Sequence, residues 1–367
     1  MFRIFQNTNI MRTHAKVLCF KCLRYSSHQT RLHVNSPGSW SLFGIKEYGS
    51  LHIDCPTIST VIKPIDAIKH HFGDKAFVQL TSASDSLSDS ELSHLVKDLE
   101  VHYNDETSLL HVHCANKHLL EELKLIVEVP HFYDVEAKVK SLHISSLQSD
   151  DCLIRCYDGA CDIVKLKARK INVEATGDVD VKGYLHGNGR LYGDRDIQTG
   201  KLQGLDFTLI APNGNIRVSS VYAKSIECES KHGNINIENM TCNGKVTTKD
   251  GDISVLSISG SLEACTENGK IDISVERCGT LSVESNAGDI DIGISDGVSA
   301  FFEGQGSSID VPEDLILDGC KLHNSSGGQS FEGKIGGGTN AISAKTNLGD
   351  IRLNRKSWAS QFSFNFE

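Results

Sequence analysis

Several residue types are scarce in this chain, and each scarcity excludes a class of protein. Proline supplies only 6 of the 367 residues, beside 32 glycines, which excludes collagen-like and proline-rich chains. No apolar run approaches the roughly 18 residues that a membrane-spanning helix needs. Hydrophobic residues still make up 39% of the chain. It is therefore too apolar to be disordered, and long enough for one large domain or two smaller ones.

Acidic residues are absent from the beginning of the sequence, where Glu47 is the first. Residues 1–45 carry six basic residues: Arg3, Arg12, Lys16, Lys21, Arg24 and Arg31. This composition predicts a mitochondrial transit peptide or disordered leader over residues 1–45, and a matrix location. The sequence Arg24-Tyr25-Ser26-Ser27 predicts cleavage after Tyr25, whereas basic residues interrupt every apolar run that could serve as a secretory signal. A merely disordered basic tail is the alternative interpretation.

Positive charge is in short supply over the whole chain. There are 37 Lys and Arg against 47 Asp and Glu, a net charge of −10. Without residues 1–45 the balance is 31 basic to 47 acidic residues, a net charge of −16. An acidic body argues against nucleic-acid partners and against anionic membrane surfaces.

Catalytic and metal-binding motifs are missing as well. The sequence has no P-loop, dinucleotide-binding fingerprint or His-Glu-x-x-His motif. Apart from Cys19-x-x-Cys22, its 12 cysteines show no zinc-finger spacing, and in a matrix protein they should be mostly reduced and buried. We therefore predict no enzyme activity, no catalytic residue, no cofactor and no bound metal.

The sequence has a repeat instead. From about residue 150, a unit of Gly, polar, Ile or Val, polar, Ile or Val recurs every 18 or 19 residues. Asp196 and Ser307 take the glycine position in two imperfect copies. The rung-turn glycines are Gly159, Gly177, Gly214, Gly233, Gly251, Gly269, Gly288 and Gly349. A period so short and so constant predicts a solenoid.

Apolar or small residues alternate with polar ones on both sides of each glycine. Ile226, Cys228 and Ser230 precede Gly233, for example, and Ile235 and Ile237 follow it. Each unit thus predicts two short strands with one buried face, joined by tight turns. A unit of about 18 residues leaves no room for a crossover helix, so each strand should stack on its counterpart one unit later, about 4.8 Å away.

The predicted fold is all-β, a right-handed β-solenoid resembling a parallel β-helix, with about 18–19 residues per rung. Residues 46–150 are predicted to be a β-rich region that caps it, 151–357 the repeats, and 358–367 an aromatic C-terminal cap. Within this last segment Phe362, Phe364 and Phe366 alternate with polar residues, and a self-association edge is the alternative to a seal. An antiparallel sandwich or barrel is the alternative fold, because short strands with frequent turns also fit it.

Three sets of polar residues are candidate binding sites. His111 and His113 share one face of a predicted strand with His102 near by; they could bind zinc or copper, but no carboxylate or thiolate completes a site, which favours an ordinary polar face. Residues after the rung glycines could hold calcium, although turn formation explains them too: Asp178, Asn215, Asn234, Asp252, Asp289 and Asp350. Outer acidic residues could dock a basic partner or be simply solvated: Glu227, Glu229, Glu263, Glu267 and Glu284.

Val127-Glu-Val-Pro130 and the recurring Gly-Asp-Ile-x-Val units resemble the bacterial-type putative adhesin domain family over roughly residues 125–355. That family has no assigned function, so the resemblance implies a β-solenoid and no particular reaction. Lys201-Leu-Gln-Gly204, His232-Gly-Asn-Ile-Asn-Ile237 and the segment 349–358 are similar to an uncharacterised animal family, family with sequence similarity 185. This second resemblance implies the same fold and a mitochondrial location.

The sequence favours a non-enzymatic solenoid in mitochondria that acts as an interaction or structural scaffold for unknown protein partners. Two alternatives stay open. A rod whose terminal rungs expose unpaired strands could stack end to end into filaments, and would otherwise be a monomer. A β-helix enzyme acting on polysaccharides or other polymers would need Asp, Lys and Arg together in a groove, and no such cluster can be read from the repeats.

Overall fold

The structure is a computed structural model that describes residues 30–66, 68, 73–82, 96–114, 123–325 and 327–356. The predicted cleavage site after Tyr25, the Cys19–Cys22 pair and the predicted aromatic cap at 358–367 lie outside these residues. Within them the chain is nearly all β, with 73% strand and no α-helix. None of the described residues forms a helix long and apolar enough to cross a membrane.

The described residues contain twenty-six strands and two short 3₁₀ turns, Val96–Asp98 and Glu313–Leu315. The first ten strands are β1 (Arg31–Ser36), β2 (Ser39–Phe43), β3 (Tyr48–Cys55), β4 (Ser59–Pro64), β5 (Lys75–Ser82), β6 (Leu99–Asn104), β7 (Leu109–Cys114), β8 (Leu123–Val129), β9 (Phe132–Val139) and β10 (Leu142–Ile144). The central strands are β11 (Leu147–Cys156), β12 (Cys161–Ala175), β13 (Val179–Gly193), β14 (Ile197–Gln203), β15 (Asp206–Ala211), β16 (Ile216–Ser230), β17 (Ile235–Thr247), β18 (Ile253–Thr266) and β19 (Ile271–Ser285). The last strands are β20 (Ile290–Ser295), β21 (Ala300–Gly306), β22 (Ser308–Asp310), β23 (Ile316–Ser325), β24 (Gly328–Ile335), β25 (Asn340–Thr346) and β26 (Asp350–Lys356).

A rung of the solenoid contains three strand segments, where the sequence predicted two. Residues 216–218, 220–222 and 225–229 of β16 pair in parallel with 235–237, 239–241 and 243–247 of β17. The middle segment was not predicted, because the alternation of buried and exposed residues is interrupted at the corner between two segments. Val218 and Val221 are both buried, although strict alternation would not bury residues three positions apart. The 18- to 19-residue period and the parallel stacking are confirmed, and the antiparallel sandwich is excluded for this region.

The core is a set of aliphatic rows that run along the stack. One row consists of Cα partners in successive rungs, each 0% exposed: Ile197, Ile216, Ile235, Ile253, Ile271, Ile290 and Ile351. Full burial of one such side chain contributes about 1.5–3 kcal/mol, so each rung is stabilised mainly by its two neighbours. The right-handed winding stays a prediction.

Chain order and stacking order differ at both ends. At the N-terminal end β3 lies between β7 and β9, and β4 between β8 and β10, all in parallel. At the other end β25 lies between β19 and β21, and β26 between β20 and β22. The first and last rungs are thus each inserted one rung inward. The predicted sequential order, in which Ser307 follows Gly288, is therefore wrong: Gly349 follows Gly288, and Ser307 comes after it.

Antiparallel strands close both ends. β5 pairs with β8 and with β2, β2 pairs with β1, and β6 pairs with β7. At the opposite end β24 pairs with β21 and with β23. The parallel rungs therefore end on hairpins, and Gly336-Gly337-Gly338 lies in the loop between β24 and β25.

Two predicted boundaries need correction. The leader was placed at residues 1–45, but β1 and β2 lie inside that range, and Trp40, Leu42 and Ile45 are buried in the core. Residues 30–45 contain one basic residue and no acidic one, so their charge did not distinguish them from the leader. The alternation of Trp40 and Leu42 with polar residues is nevertheless typical of a strand. The boundary at residue 150 is not a structural boundary either, because β3, β9 and β11 already form one parallel ladder with β12.

Candidate functional site

The predicted rung-turn glycines come together along one edge of the stack. A Cβ built on Gly233 would lie 1.9 Å from the carbonyl oxygen of Gly214, and one on Gly269 would lie 1.8 Å from that of Gly251. The same close approach joins Gly349 to Gly288, at 2.2 Å. Glycine is required here because the backbone of the next rung occupies the space that any side chain would fill. At these positions the missing side chain leaves room for the backbone of the neighbouring rung.

A ladder of buried hydroxyls runs beside the glycines and was missed by sequence reasoning. Thr266 Oγ1 donates to the carbonyl of Gly251 at 3.0 Å and accepts the N–H of Gly269, its own rung glycine, at 3.1 Å. The same position three residues before a rung glycine is occupied by Ser230, Thr248, Thr266, Ser285 and Thr346. The sequence had treated these residues only as small inward side chains. Their recurrence in five units was the available signal.

The Asp and Asn residues after the glycines form a second ladder. The N–H of Asn234 donates to Asn215 Oδ1 at 3.0 Å, and the N–H of Asp252 donates to Asn234 Oδ1 at 2.8 Å. Each side-chain oxygen thus caps the turn of the following rung, so backbone hydrogen bonds occupy the oxygens that calcium would need. In the described part of the chain, no group of three or more His, Cys, Asp or Glu side chains is arranged to hold a metal ion.

Histidines collect on the outer surface of the N-terminal rungs. His102 and His52 are the cross-strand partners of His111, on β6 and β3. The rings of His52 and His111 are 5.0 Å apart, and those of His111 and His113 are 6.0 Å apart. We call His52, His102, His111 and His113 the histidine face. His52 was missed, although Leu51-His52-Ile53 and Leu110-His111-Val112 repeat the same pattern at the same position in neighbouring strands.

Two carboxylates border the histidine face. Glu136 Oε1 lies 3.7 Å from His52 Nε2, and Asp54 Oδ2 lies 3.7 Å from His113 Nδ1. Partial burial lowers the pKa of His111 below 6.5, and the nearby imidazoles of His52 and His113 lower it further, while Asp54 acts in the opposite direction. His111 therefore takes up a proton less readily than a free imidazole does.

The predicted acidic outer positions do not form a surface of one sign. Lys245 is the Cα partner of both Glu227 and Glu263, and its Nζ lies 3.6 Å from Glu263 Oε1. Lys249 Nζ lies 3.8 Å from Glu267 Oε2. Such exposed pairs contribute little to stability, but they cancel much of the field that would attract a basic partner.

Nine cysteines of the described residues form no disulfide. Seven of them are buried: Cys55, Cys114, Cys152, Cys156, Cys161, Cys228 and Cys242. Burial raises the pKa of the Cys152 and Cys242 thiols to about 12, so they are neutral and unreactive at neutral pH. They act as small apolar side chains in the stacked core.

Comparison with known proteins identifies the family. The sequence profile of Toastrack DUF4097, a domain of unknown function, matches residues 68–354, more than three quarters of the chain. The chain belongs to this family. No curated protein is significantly similar to it in sequence.

Three solved structures of low similarity cover most of the chain. A putative adhesin from Bacteroides fragilis is 11% identical, with 88% of this chain and 97% of that chain covered and a TM-score of 0.30. A putative adhesin from Parabacteroides distasonis is 11% identical, with 89% and 97% covered and a TM-score of 0.36. A putative lipid binding protein from Parabacteroides distasonis is 12% identical, with 88% and 98% covered and a TM-score of 0.34. No conclusion about the ligand of this Toastrack protein follows from similarity of this degree.

Proposed function

We propose that this Toastrack protein is a non-enzymatic interaction scaffold. The observation that carries the proposal is the register of the outer surface. Side chains of consecutive rungs form straight rows, such as Gln198, Arg217, Asn236 and Ser254, because each residue is the Cα partner of the next. The rows repeat about every 4.8 Å over a continuous buried core, which makes them a rigid template for a partner with its own extended surface.

Proximity labelling in cells tests the scaffold role. The full chain fused to a labelling enzyme should enrich a defined set of proteins. A variant with Arg217→Glu, Ser254→Glu and Asp272→Lys, all outward positions of one face, should lose part of that set while it keeps the melting temperature of the original protein. An unchanged set would contradict the proposal for this face, and the absence of any enriched set would contradict the scaffold role itself.

The predicted mitochondrial address is part of the proposal, with a shorter leader. In this proposal the presequence lies within residues 1–29, ahead of β1, and these residues carry five basic and no acidic residues. The resemblance of segments such as Lys201-Leu-Gln-Gly204 to the animal family, which suggested the same address, belongs to this proposal too.

A reporter fused to residues 1–29 should enter mitochondria. The same fusion with Arg3, Arg12, Lys16, Lys21 and Arg24 replaced by Gln should stay in the cytosol, because import of such presequences depends on their positive charge. Mass spectrometry of the imported full chain should find Ser26 as the first residue. If the wild-type fusion stays in the cytosol or is secreted, the proposed mitochondrial location is wrong.

End-to-end stacking receives less support than the scaffold role. Its physical basis was an open parallel rung, and in the described residues both terminal rungs are followed by antiparallel strands, β6–β7 with β5–β2–β1 at one end and β24–β23 at the other. Sedimentation velocity at increasing protein concentration decides between the two, because stacking rods would give a rising sedimentation coefficient.

A further inference from the structure

Positive charge is concentrated on one side of this acidic protein. Four exposed lysines, Lys165, Lys167, Lys182 and Lys201, lie on the middle strand segments of three consecutive rungs, or at the corner beside them. Two exposed tyrosines lie between and beyond them: Tyr184 and Tyr222, 39% and 46% exposed. We call these six residues the lysine–tyrosine face.

The register interleaves charge and aromatic surface. Tyr184 is the Cα partner of Lys165 in one neighbouring rung and of Lys201 in the other. The ammonium group of Lys201 lies 5.1 Å from the centre of the Tyr222 ring. Since the tyrosines separate the lysines, the charges can lie close together without direct like-charge contact.

The four lysines form no ion pair within the described residues, although Lys182 still acts electrostatically on the carboxyl of Asp180. In the described residues none of the four lies within ion-pair distance of a carboxylate, whereas Arg169 at the edge of the face is paired with Asp151 at 3.1 Å. Another exposed lysine, Lys224, extends the face at its corner. A partner with negative charge would satisfy what the protein leaves unpaired.

Small residues border the face on both sides. At one corner Gly183 and Gly200 follow each other in adjacent rungs, and at the other Gly187 and Gly204 do so. A Cβ on Gly204 would lie 1.8 Å from the carbonyl oxygen of Gly187, so larger residues are excluded there by the stack itself. The corners of these two rungs therefore carry no side chains beside the lysines and tyrosines.

We propose that the lysine–tyrosine face docks on the surface of an anionic phospholipid membrane. Lysines attract acidic headgroups and tyrosines are favoured at the membrane–water interface, so alternating lysines and tyrosines on one face match the surface of an anionic bilayer. The acidic balance summed over the chain argued against anionic membranes, but it does not oppose docking of this one face, because charges more than a Debye length of about 8 Å away are screened. The inference deepens the proposed scaffold role by naming one partner surface.

Vesicle co-sedimentation with the purified full chain tests the proposal. The protein should bind vesicles of phosphatidylcholine containing about one third phosphatidylserine, and should not bind phosphatidylcholine alone. Replacement of Lys165, Lys167, Lys182 and Lys201 by Gln should lower the partition coefficient by at least about 100-fold, since each lysine near such a bilayer is worth about fivefold. Tyr184→Ser should lower it a few-fold, and higher salt should weaken binding throughout.

Matched controls separate this face from other sources of charge. Replacing the exposed lysines Lys231, Lys245, Lys249 and Lys345 by Gln removes the same charge elsewhere and should leave binding nearly unchanged. A full chain with Arg3, Arg12, Lys16, Lys21 and Arg24 replaced by Gln should still depend on the face, which excludes the basic leader as the cause.

Three results would overturn the proposal. They are equal binding of the face and control variants, no binding to acidic vesicles at low salt, and face-dependent binding to oligo(dT) in place of vesicles. None of these assays measures binding to another protein. Each outcome therefore leaves the scaffold role to its own test by proximity labelling.

Discussion

Asp350 donates its backbone N–H to Asp289 Oδ1 at 2.9 Å, although 61 positions separate the two residues. The intervening chain leaves the stack after β20, builds β21 to β24 at the end of the rod, and then returns with β25 and β26. The returning rung is inserted between two rungs that come earlier in the sequence, so its side chains contact a rung on each side. The last repeat is therefore held in place as firmly as the central ones, and the hairpin beyond it carries the exposed end.

Engineered disulfides should reveal the inverted order. Asp291 and Arg352 are Cα partners on adjacent strands, within the range that a disulfide can bridge. Asp310 is the next partner beyond Arg352, two strands from Asp291. The pair Asp291→Cys with Arg352→Cys should cross-link under mild oxidation, whereas Asp291→Cys with Asp310→Cys should not. Peptide mapping by mass spectrometry after proteolysis checks both, and the reverse result would mean that rungs stack in chain order.

The hydroxyl ladder should make a measurable contribution to stability. Thr266→Val keeps the shape of the side chain but leaves the carbonyl of Gly251 and the N–H of Gly269 without their partner in the core. We expect the free energy of unfolding to fall by about 2–3 kcal/mol, because each buried unsatisfied group costs about 1–3 kcal/mol. Thr241→Val, at an exposed position of β17, is the matched control. Equal urea midpoints for the two variants would show that the ladder is dispensable.

The glycine edge predicts a stronger steric effect. In Gly251→Ala the new Cβ would lie 2.0 Å from the carbonyl oxygen of Gly233, so the backbones of two rungs must move apart. We expect a loss of about 2–4 kcal/mol in the free energy of unfolding, at the upper end for single substitutions. Gly327→Ala, where no atom lies within 4 Å of the new Cβ, should change it by less than about 0.5 kcal/mol. Thermal and urea unfolding of the full-length variants compare the two.

The period of the repeat was sufficient to predict the stack, because Ile216, Ile235 and Ile253 must lie over one another when 18 or 19 residues close one rung. The three-segment rung was not predicted, since Val218 and Val221 break the alternation at a corner whose geometry depends on the neighbouring rungs. The inverted order at both ends could not be predicted from the sequence either. The repeat pattern allows the unit at Ser307 or the unit at Gly349 to stack on the unit at Gly288, and only the packing of the end hairpins distinguishes the two.

Surface sites were predicted less well than the core for a related reason. His111 and His113 were found on one strand, but their neighbour His52 lies 59 positions away from His111 in sequence and beside it in the structure. Lys165, Lys182 and Lys201 gave no signal in a net charge summed over the whole chain. A sum cannot show that one side of the rod collects lysines while the other pairs them with glutamates.

The histidine face predicts a pH dependence of stability. His111 packs against His102, His52 and His113, with Asp54 and Glu136 as the nearby acids, and its pKa in the folded protein lies below the ordinary value of 6.5. When the pH falls through 6.5, the imidazole of His111 binds a proton in the unfolded chain before it does so in the folded one. Protonation therefore favours unfolding, and this contribution to stability is present above pH 6.5 and lost as the pH falls through 6.5 toward the folded pKa.

His111→Gln should remove this contribution to the pH dependence. The variant should lose less stability than the original protein between pH 7.5 and pH 5.5, measured as the shift of the urea midpoint, and the ring of His111 should titrate below pH 6.5 by NMR. His323→Gln, at an exposed position of β23 outside the histidine face, should follow the original protein over the whole range. If His111→Gln and His323→Gln show the same slope, His111 makes no contribution to the pH dependence of stability and the prediction is wrong.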